Sequence, residues 1–385
     1  MKIAERVGRV PPYQFAEIDR KKEQAIARGV DVINLGVGDP DQPTPADIVE
    51  QACAEIRKPE HHRYPAYEGS ARFRRAVAAW YRRRYGVELD PDREVMALIG
   101  SKEGIAHAIW AFVDPGDVAL LPDPYFPMYV NQTRLAGGEP HFLPLRAEAG
   151  YLPRFEEIDR AALSRASLLL LNYPHNPTGA VADLAFFERA TAFARAHDLV
   201  FVHDSAYAEV TFDGYVAPSP LQVPGAKEFT IDIGSFSKTF NMTGWRVGYA
   251  VGSAEALKAL GVIKMQTDSG VFTAIQEAAA AALERDWPAT PRQMNALYAR
   301  RRDIMVDGLT RLGWRVERPR GTFYLWVKTP DGMSSADAAA WLLEKAGLIV
   351  MPGSAFGAAG EGYIRMALTV GEDRLREAVE RIAGL

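Results

Sequence analysis

One lysine of this chain stands among small hydroxyl residues. Lys238 follows Ser235 and Ser237, and Arg246 comes eight positions later. A lysine that attacks a carbonyl compound needs an uncrowded backbone and a nearby anchor for an anionic cofactor. Hydroxyl groups and a guanidinium group suit a phosphate, which arginine binds by a planar two-point grip. Taken alone, the segment is equally typical of a serine-rich loop with a solvated lysine.

Short apolar runs alternate with amphipathic stretches in the middle of the chain. Five of these runs predict buried strands, at residues 95–99, 118–121, 168–171, 199–203 and 229–233. Apolar residues recur at helical spacing between them, as over residues 183–197. Buried strands separated by helices predict an α/β fold with a mostly parallel sheet covered on both faces. Residues 246–251 follow the lysine segment closely and predict an antiparallel addition to that sheet.

The pattern changes near residue 285. Pro288 and Pro291 predict a break, and a long helix is predicted over residues 294–312. A helix and several strand-like segments follow, with the helix at 335–346 and the strands at 314–317, 322–327, 349–352 and 363–368. We therefore predict a large domain over residues 46–284 and a smaller α+β domain over residues 285–385. Residues 1–45, with a predicted helix at 15–28, are expected to pack on the smaller domain.

Composition excludes several classes of protein. A net charge of −4 with 24% charged residues argues against a nucleic-acid surface and against electrostatic membrane binding. No apolar run approaches the ~18–20 residues of a membrane span. The single cysteine, Cys53, excludes an intrachain disulfide and fits a reducing, cytoplasmic compartment. No zinc-protease, P-loop or serine-hydrolase motif is present, and no metal site is predicted.

The remaining candidate residues lie in the turns that follow the predicted strands. Ligands of open parallel sheets bind at the carboxyl ends of strands, so side chains in these turns can meet a ligand. Ser101 and Lys102 begin a predicted helix directly after Gly100. The backbone N–H groups of such a turn can bind an anion, but the segment is also typical of an ordinary helix start. Phe126 follows the next strand and suits ring stacking or core packing.

Three further polar residues follow the next two strands. Asn176 lies in a proline-fixed loop, and Asp204 and Tyr207 follow a buried strand. Asp204 suits a protonated ring nitrogen, or alternatively caps a helix. Each turn alone would be unremarkable. Together they offer an amine, a phosphate clamp, a ring-nitrogen partner, a phenolate donor and a stacking ring, a set that matches pyridoxal phosphate.

The chain resembles the fold-type I pyridoxal-phosphate enzymes of the class I/II aminotransferase family over essentially its whole length. The motifs Asn176-Pro177-x-Gly179, Asp204-x-Ala206-Tyr207 and Ser235-x-Ser237-Lys238…Arg246 carry the likeness. The resemblance implies a large domain with a mostly parallel seven-stranded sheet and a smaller α+β domain. It also implies a homodimer with shared active sites and ping-pong exchange between an L-amino acid and a 2-oxo acid.

The resemblance assigns roles to particular residues. It makes Lys238 the covalent cofactor lysine, Asp204 the partner of the ring nitrogen, and Asn176 and Tyr207 the donors to the phenolate oxygen. The implied phosphate ligands are Ser101, Lys102, Ser235, Ser237 and Arg246, with Phe126 as the stacking ring and Tyr64 reaching the neighbouring subunit's phosphate. Arg365 matches the arginine that holds the substrate carboxylate, and Gly38 matches the glycine that lines that site.

The substrate is predicted less directly. Residues 11–18, 36–40 and 100–105 resemble the LL-diaminopimelate aminotransferase subgroup, with Tyr13, Tyr67 and Glu68 as candidates for binding the far end of the substrate. A broad-specificity alanine, aspartate or methionine aminotransferase is the alternative. A pyridoxal-phosphate lyase on the same scaffold also stays open, because these motifs do not exclude it.

Overall fold

The computed structural model describes residues 1–11, 14–285 and 289–385, and only the backbone of residues 14–19. The strands are β1 Ile33–Asn34, β2 Val95–Leu98, β3 Val118–Asp123, β4 Glu139–Pro144, β5 Ala166–Asn172, β6 Val200–Asp204, β7 Thr230–Ser235, β8 Gly248–Gly252, β9 Tyr324–Lys328, β10 Leu348–Ile349, β11 Met351–Pro352 and β12 Tyr363–Ala367. The helices are α1 Glu5–Gly8, α2 Gln14–Ala27, α3 Ala46–Ile56, α4 Ala71–Tyr85, α5 Ser101–Phe112, α6 Met128–Ala136, α7 Arg160–Leu163, α8 Leu184–Ala196, α9 Phe236–Thr239, α10 Ala254–Thr267, α11 Thr273–Glu284, α12 Ala289–Arg311, α13 Ser335–Ala346 and α14 Glu372–Ala383.

A seven-stranded sheet forms the centre of the molecule. Its strand order is β2-β8-β7-β6-β5-β3-β4, and every neighbouring pair is parallel except those that involve β8. The predicted antiparallel addition is therefore confirmed. Leu168 to Leu171 of β5 are fully buried, because separate hydrophobic clusters cover the two faces of the sheet. This two-sided burial explains why the strand lacks the alternation of polar and apolar residues.

The sequence did not predict β4, which lies at the edge of the sheet. Pro140 and Pro144 fall within this strand, and Glu139 is exposed at its start. An edge strand tolerates proline because only one side of its backbone pairs with a neighbour. The absence of a continuous apolar run at β4 thus reflects its position rather than a different structure.

The C-terminal part contains a three-stranded antiparallel sheet in the order β11-β12-β9. The strand predicted at 314–317 is wrong, since only an isolated bridge from Val316 to Val327 forms there. The predicted break between the two helices is confirmed, since α11 ends at Glu284 and α12 begins at Ala289, but the long helix begins before its predicted start at residue 294. Pro291 lies in the first turn of α12, where a missing backbone N–H leaves no helical hydrogen bond unmade. Pro288 lies outside the described residues.

The N-terminal segment pairs with the C-terminal part. Strand β1 runs parallel to β10, and Ile33 and Leu35 join the hydrophobic cluster formed largely by residues 294–382. The domain boundaries at residues 45 and 284 stay predictions. No helix within the described part of the chain is both long and apolar enough to cross a membrane.

Candidate active site

The carboxyl ends of β3, β5, β6 and β7 meet at one cleft with a cavity of about 260 Å³. The cleft lies between the large sheet and residues of the C-terminal part. It brings together most of the side chains singled out from the sequence: Gly38, Ser101, Lys102, Phe126, Asn176, Asp204, Tyr207, Ser235, Ser237, Lys238, Arg246 and Arg365.

Lys238 lies on the single turn of α9, directly after β7. The Ser235 side chain caps this turn by accepting a hydrogen bond from the Ser237 amide at 3.2 Å. The Lys238 Nζ donates to the Gly38 carbonyl oxygen at 2.9 Å. The pKa of Lys238 is lowered to about 8, chiefly by burial; the charge of Asp39 opposes this shift, and the positive charges of Arg246 and Arg365 add to it. A large share of this amine is neutral near pH 8, and a neutral amine is nucleophilic.

Asp204 ends β6 at the floor of the cleft. Its Oδ2 accepts a 2.7 Å hydrogen bond from the Tyr129 hydroxyl, and its Oδ1 accepts one from the Ala206 amide at 3.1 Å. Burial raises the pKa of Asp204, while these two hydrogen bonds favour the carboxylate and lower it. A buried carboxylate is stabilised by a cationic partner, so this floor suits a protonated ring nitrogen.

Arg365 approaches from β12 on the opposite side of the cleft. Its Nη1 donates to the Asn176 Oδ1 at 2.8 Å, and its Nη2 donates to the Gly36 carbonyl oxygen at 2.7 Å. The guanidinium carbon lies 4.0 Å from the centre of the Tyr324 ring and 4.7 Å from that of Phe356. These contacts hold the guanidinium plane in a fixed orientation, which is the condition for two-point binding of a carboxylate.

A pair of tyrosine hydroxyl groups borders the same side of the cleft. The hydroxyl oxygens of Tyr207 and Tyr324 lie 3.0 Å apart, and both side chains are buried. Burial raises the pKa of Tyr207 well above its usual value, so this phenol keeps its proton. It can therefore donate a hydrogen bond to an oxygen in the cleft.

The opposite end of the cleft suits an anion. Arg246 reaches the start of α5, where a Cβ atom at Gly100 would overlap its guanidinium. A Cβ atom at Gly248 would lie 2.9 Å from the Ser101 amide nitrogen. The two glycines thus allow a guanidinium and a helix N-terminus to converge, which is a common way of binding phosphate.

Three predicted residues are not part of this cleft. Tyr64, Tyr67 and Glu68 are exposed on their own chain, and Glu68 borders a separate surface cavity with Arg93 and Lys258. Their predicted contribution therefore requires the cleft of a second copy of the chain, and it stays a prediction. Tyr13 lies outside the described residues.

The structure adds three residues to the cleft, Asp39, Asn172 and Tyr324, that the sequence did not single out. The Nδ2 of Asn172 donates to the Asp204 carbonyl oxygen at 2.7 Å. It also adds Tyr129, which does not line the cleft but binds Asp204. Asn172 had a usable signal, because it is the polar last residue of an apolar strand. Tyr129 had none, since a tyrosine on an amphipathic helix is typical of the core.

Comparison with known proteins extends this result. The model of the family "Aminotransferase class I and II" matches residues 30–382. The LL-diaminopimelate aminotransferase of Moorella thermoacetica is 52% identical over 382 residues, covering 99% of this chain and 98% of that protein. The corresponding protein of Halothermothrix orenii is 48% identical over 382 residues, with 99% and 98% covered.

Solved structures give the same result for the fold. The apo structure of BacF from Bacillus subtilis superposes with a TM-score of 0.96 at 39% identity, covering 100% of this chain and 98% of that one. A variant of Thermus thermophilus aspartate aminotransferase superposes at 0.94 with 32% identity, covering 100% and 99%. The predicted fold type I is thereby confirmed. The chain belongs to the aminotransferase class I and II family.

Proposed function

We propose that this protein is a pyridoxal-phosphate-dependent aminotransferase that transfers an amino group from LL-2,6-diaminopimelate to 2-oxoglutarate. The observation that carries the proposal is Lys238, an amine of lowered pKa that shares one cleft with Arg246 and Arg365. Family membership and the curated relatives that share about half of its residues support the reaction type and the donor.

The residues of the cleft fit the cofactor. Arg246 and the N-terminus of α5 would hold the phosphate, together with Ser235 and Ser237. Asp204 would pair with the ring nitrogen, Phe126 would cover the ring face, and Asn176 and Tyr207 would bind the phenolic oxygen. When bound, pyridoxal phosphate supplies an electron sink for the bonds at the substrate Cα.

The protein side chains then have distinct tasks. The neutral amine of Lys238 would remove the proton from the substrate Cα, and its Nζ would hold that proton until it is returned. Arg365 binds the α-carboxylate at two points and so fixes which bond at Cα faces the lysine. The net reaction exchanges an amino group and an oxo group between two acids in successive half-reactions, which is a ping-pong scheme.

The donor carries a second ammonium and carboxylate at its far end. We assign their recognition to the loop of Tyr67 and Glu68 from the second subunit of a homodimer, together with Tyr13. Tyr64 of the same loop would reach the neighbouring subunit's phosphate. Exposure of all three loop side chains on their own chain supports this assignment.

A panel of amino donors tests the proposal. Purified protein reconstituted with pyridoxal phosphate should form glutamate from 2-oxoglutarate faster with LL-diaminopimelate than with alanine, aspartate or methionine. Lys238→Ala should abolish turnover, whereas Lys345→Ala, which alters an exposed lysine on α13, should leave it unchanged. Equal rates with alanine or aspartate would refute the proposed donor. No glutamate from any donor would refute the reaction itself.

A further inference from the structure

Residues 123–125, at the end of β3, contact the turn that supports Arg365. This turn comprises residues 353–360 and connects β11 to β12, the strand that carries the arginine. Two hydrogen bonds join the two segments, one to a side chain and one between backbones. They link the large sheet directly to the C-terminal part beside the substrate site.

The first contact is made by the carboxylate of Asp123. Its Oδ1 accepts a 3.2 Å hydrogen bond from the Ala359 amide. The backbone approaches the carboxylate so closely that a Cβ atom at Gly357 would overlap Oδ1, and Gly357 has a φ of 116°. Only glycine meets both conditions without strain. The turn is therefore shaped around a buried acidic side chain.

The second contact fixes the residue that lies beneath the arginine. The Tyr125 amide donates to the Phe356 carbonyl oxygen at 2.7 Å. The Phe356 ring is fully buried, packs edge-on against Trp326, and faces the Arg365 guanidinium at 4.7 Å. Movement of the turn would thus move one of the two rings between which the guanidinium is held.

The pKa of Asp123 is raised to about 6 by burial, although hydrogen bonds from the backbone N–H groups of Ala359 and Ala358 oppose this rise. The side chain is therefore mostly ionised at neutral pH. Hydrogen bonds to a carboxylate are stronger than those to a neutral acceptor. The charge consequently strengthens the attachment of the turn.

We propose that Asp123 is a positioning residue for the substrate carboxylate, acting through the 353–360 turn and Phe356 on the orientation of Arg365. The inference rests on the proposed function, in which Arg365 binds that carboxylate. Asp123 does not line the cleft, so it acts on the substrate carboxylate only through Arg365. Arg365 keeps its contacts with Asn176, Gly36 and Tyr324, so a bound substrate still meets the lysine in the same orientation and the loss falls on affinity.

Two substitutions test this role in the reconstituted enzyme. Asp123→Asn keeps the shape and removes the charge, and it should raise KM for the amino donor about tenfold while kcat stays within about twofold. Gly357→Ala keeps the charge of Asp123, but the added Cβ atom would push the turn away from the carboxylate. This variant should raise KM by a similar factor. Gly362→Ala is the matched control, because Gly362 also has a positive φ, of 81°, but nothing lies within 4 Å of an added Cβ atom. It should leave KM unchanged.

A carboxylate-free substrate gives a readout that general damage would not. The preference for alanine over ethylamine, measured in single half-reactions, should fall about tenfold in Asp123→Asn and stay unchanged in Gly362→Ala. Unaltered KM and preference in Asp123→Asn would overturn the inference, as would equal losses on both substrates. Wild-type protein that transfers no amino group would instead refute the proposed function on which the inference rests.

Discussion

Burial sets the protonation of the central amine at the residue scale. An ordinary lysine, with a pKa near 10.4, is less than about 1% neutral at pH 8. Burial beside Arg246 and Arg365 lowers the pKa of Lys238 to about 8, so about half of this amine is neutral there. The neutral form is the nucleophile that captures an aldehyde.

The rate at which cofactor-free protein captures pyridoxal phosphate should therefore rise with pH and reach half its plateau near pH 8. Stopped-flow absorbance between pH 6 and pH 10 measures this. Asp39→Asn should move the midpoint to lower pH, because the charge of Asp39 raises the pKa of Lys238. A midpoint near 10, or an upward shift in Asp39→Asn, would contradict the assigned environment.

Cleft residues that belong to short sequence motifs were predictable, whereas the distant residues that bind them were not. Lys238 and Arg246 stand in one recognisable segment, and the cleft contains both. Tyr129 binds Asp204 from 75 positions away, and Tyr324 meets Tyr207 from 117 positions away. Nothing in the local pattern of a tyrosine on a helix or strand distinguishes such a partner from a core residue.

Among the secondary-structure elements, those with a strong hydrophobic period were predicted best. The helix expected at 335–346 is α13 with the same bounds, and the central strands β5 and β7 lie where their apolar runs stand. The edge strand β4 was missed because solvent and two prolines weaken its pattern. The expected strand at 314–317 failed because it pairs only through Val316.

The start of α5 depends on glycine at one position. Gly100 has a φ of 76°, and a Cβ atom there would overlap the Arg246 guanidinium. Gly100→Ala should thus weaken pyridoxal-phosphate binding at least about tenfold, by displacing the arginine from the helix N-terminus. Equilibrium dialysis of the reconstituted protein measures this affinity.

Gly116→Ala provides the control for backbone strain. Gly116 has a φ of 99°, and nothing lies within 4 Å of its added Cβ. Both variants incur the cost of a positive φ, of about 1 kcal/mol, but only Gly100→Ala moves Arg246. Equal affinities in the two variants would show that the phosphate end of the cleft does not depend on this approach.

On the scale of the whole molecule, the Tyr64 side chain does not line its own chain's cleft. The Tyr64 residue is 87% exposed. Two other aromatic residues of this region are also exposed, Tyr67 at 41% and Phe272 at 39%. Gly270 packs against Pro65 of this loop, so the loop has a defined position on the surface. Large exposed aromatic side chains grouped in this way are typical of a subunit interface.

Mixed dimers test whether Tyr64 serves the neighbouring cleft. Lys238→Ala and Tyr64→Ala proteins should each have little activity alone. A hybrid dimer contains one cleft with an intact lysine and an intact Tyr64 from its partner, so random exchange should restore about a quarter of wild-type activity. Pairing Lys238→Ala with Asp204→Asn places a lesion in each chain's own cleft and should restore none. If Tyr64 acted within its own chain, the first mixture would stay as inactive as the second.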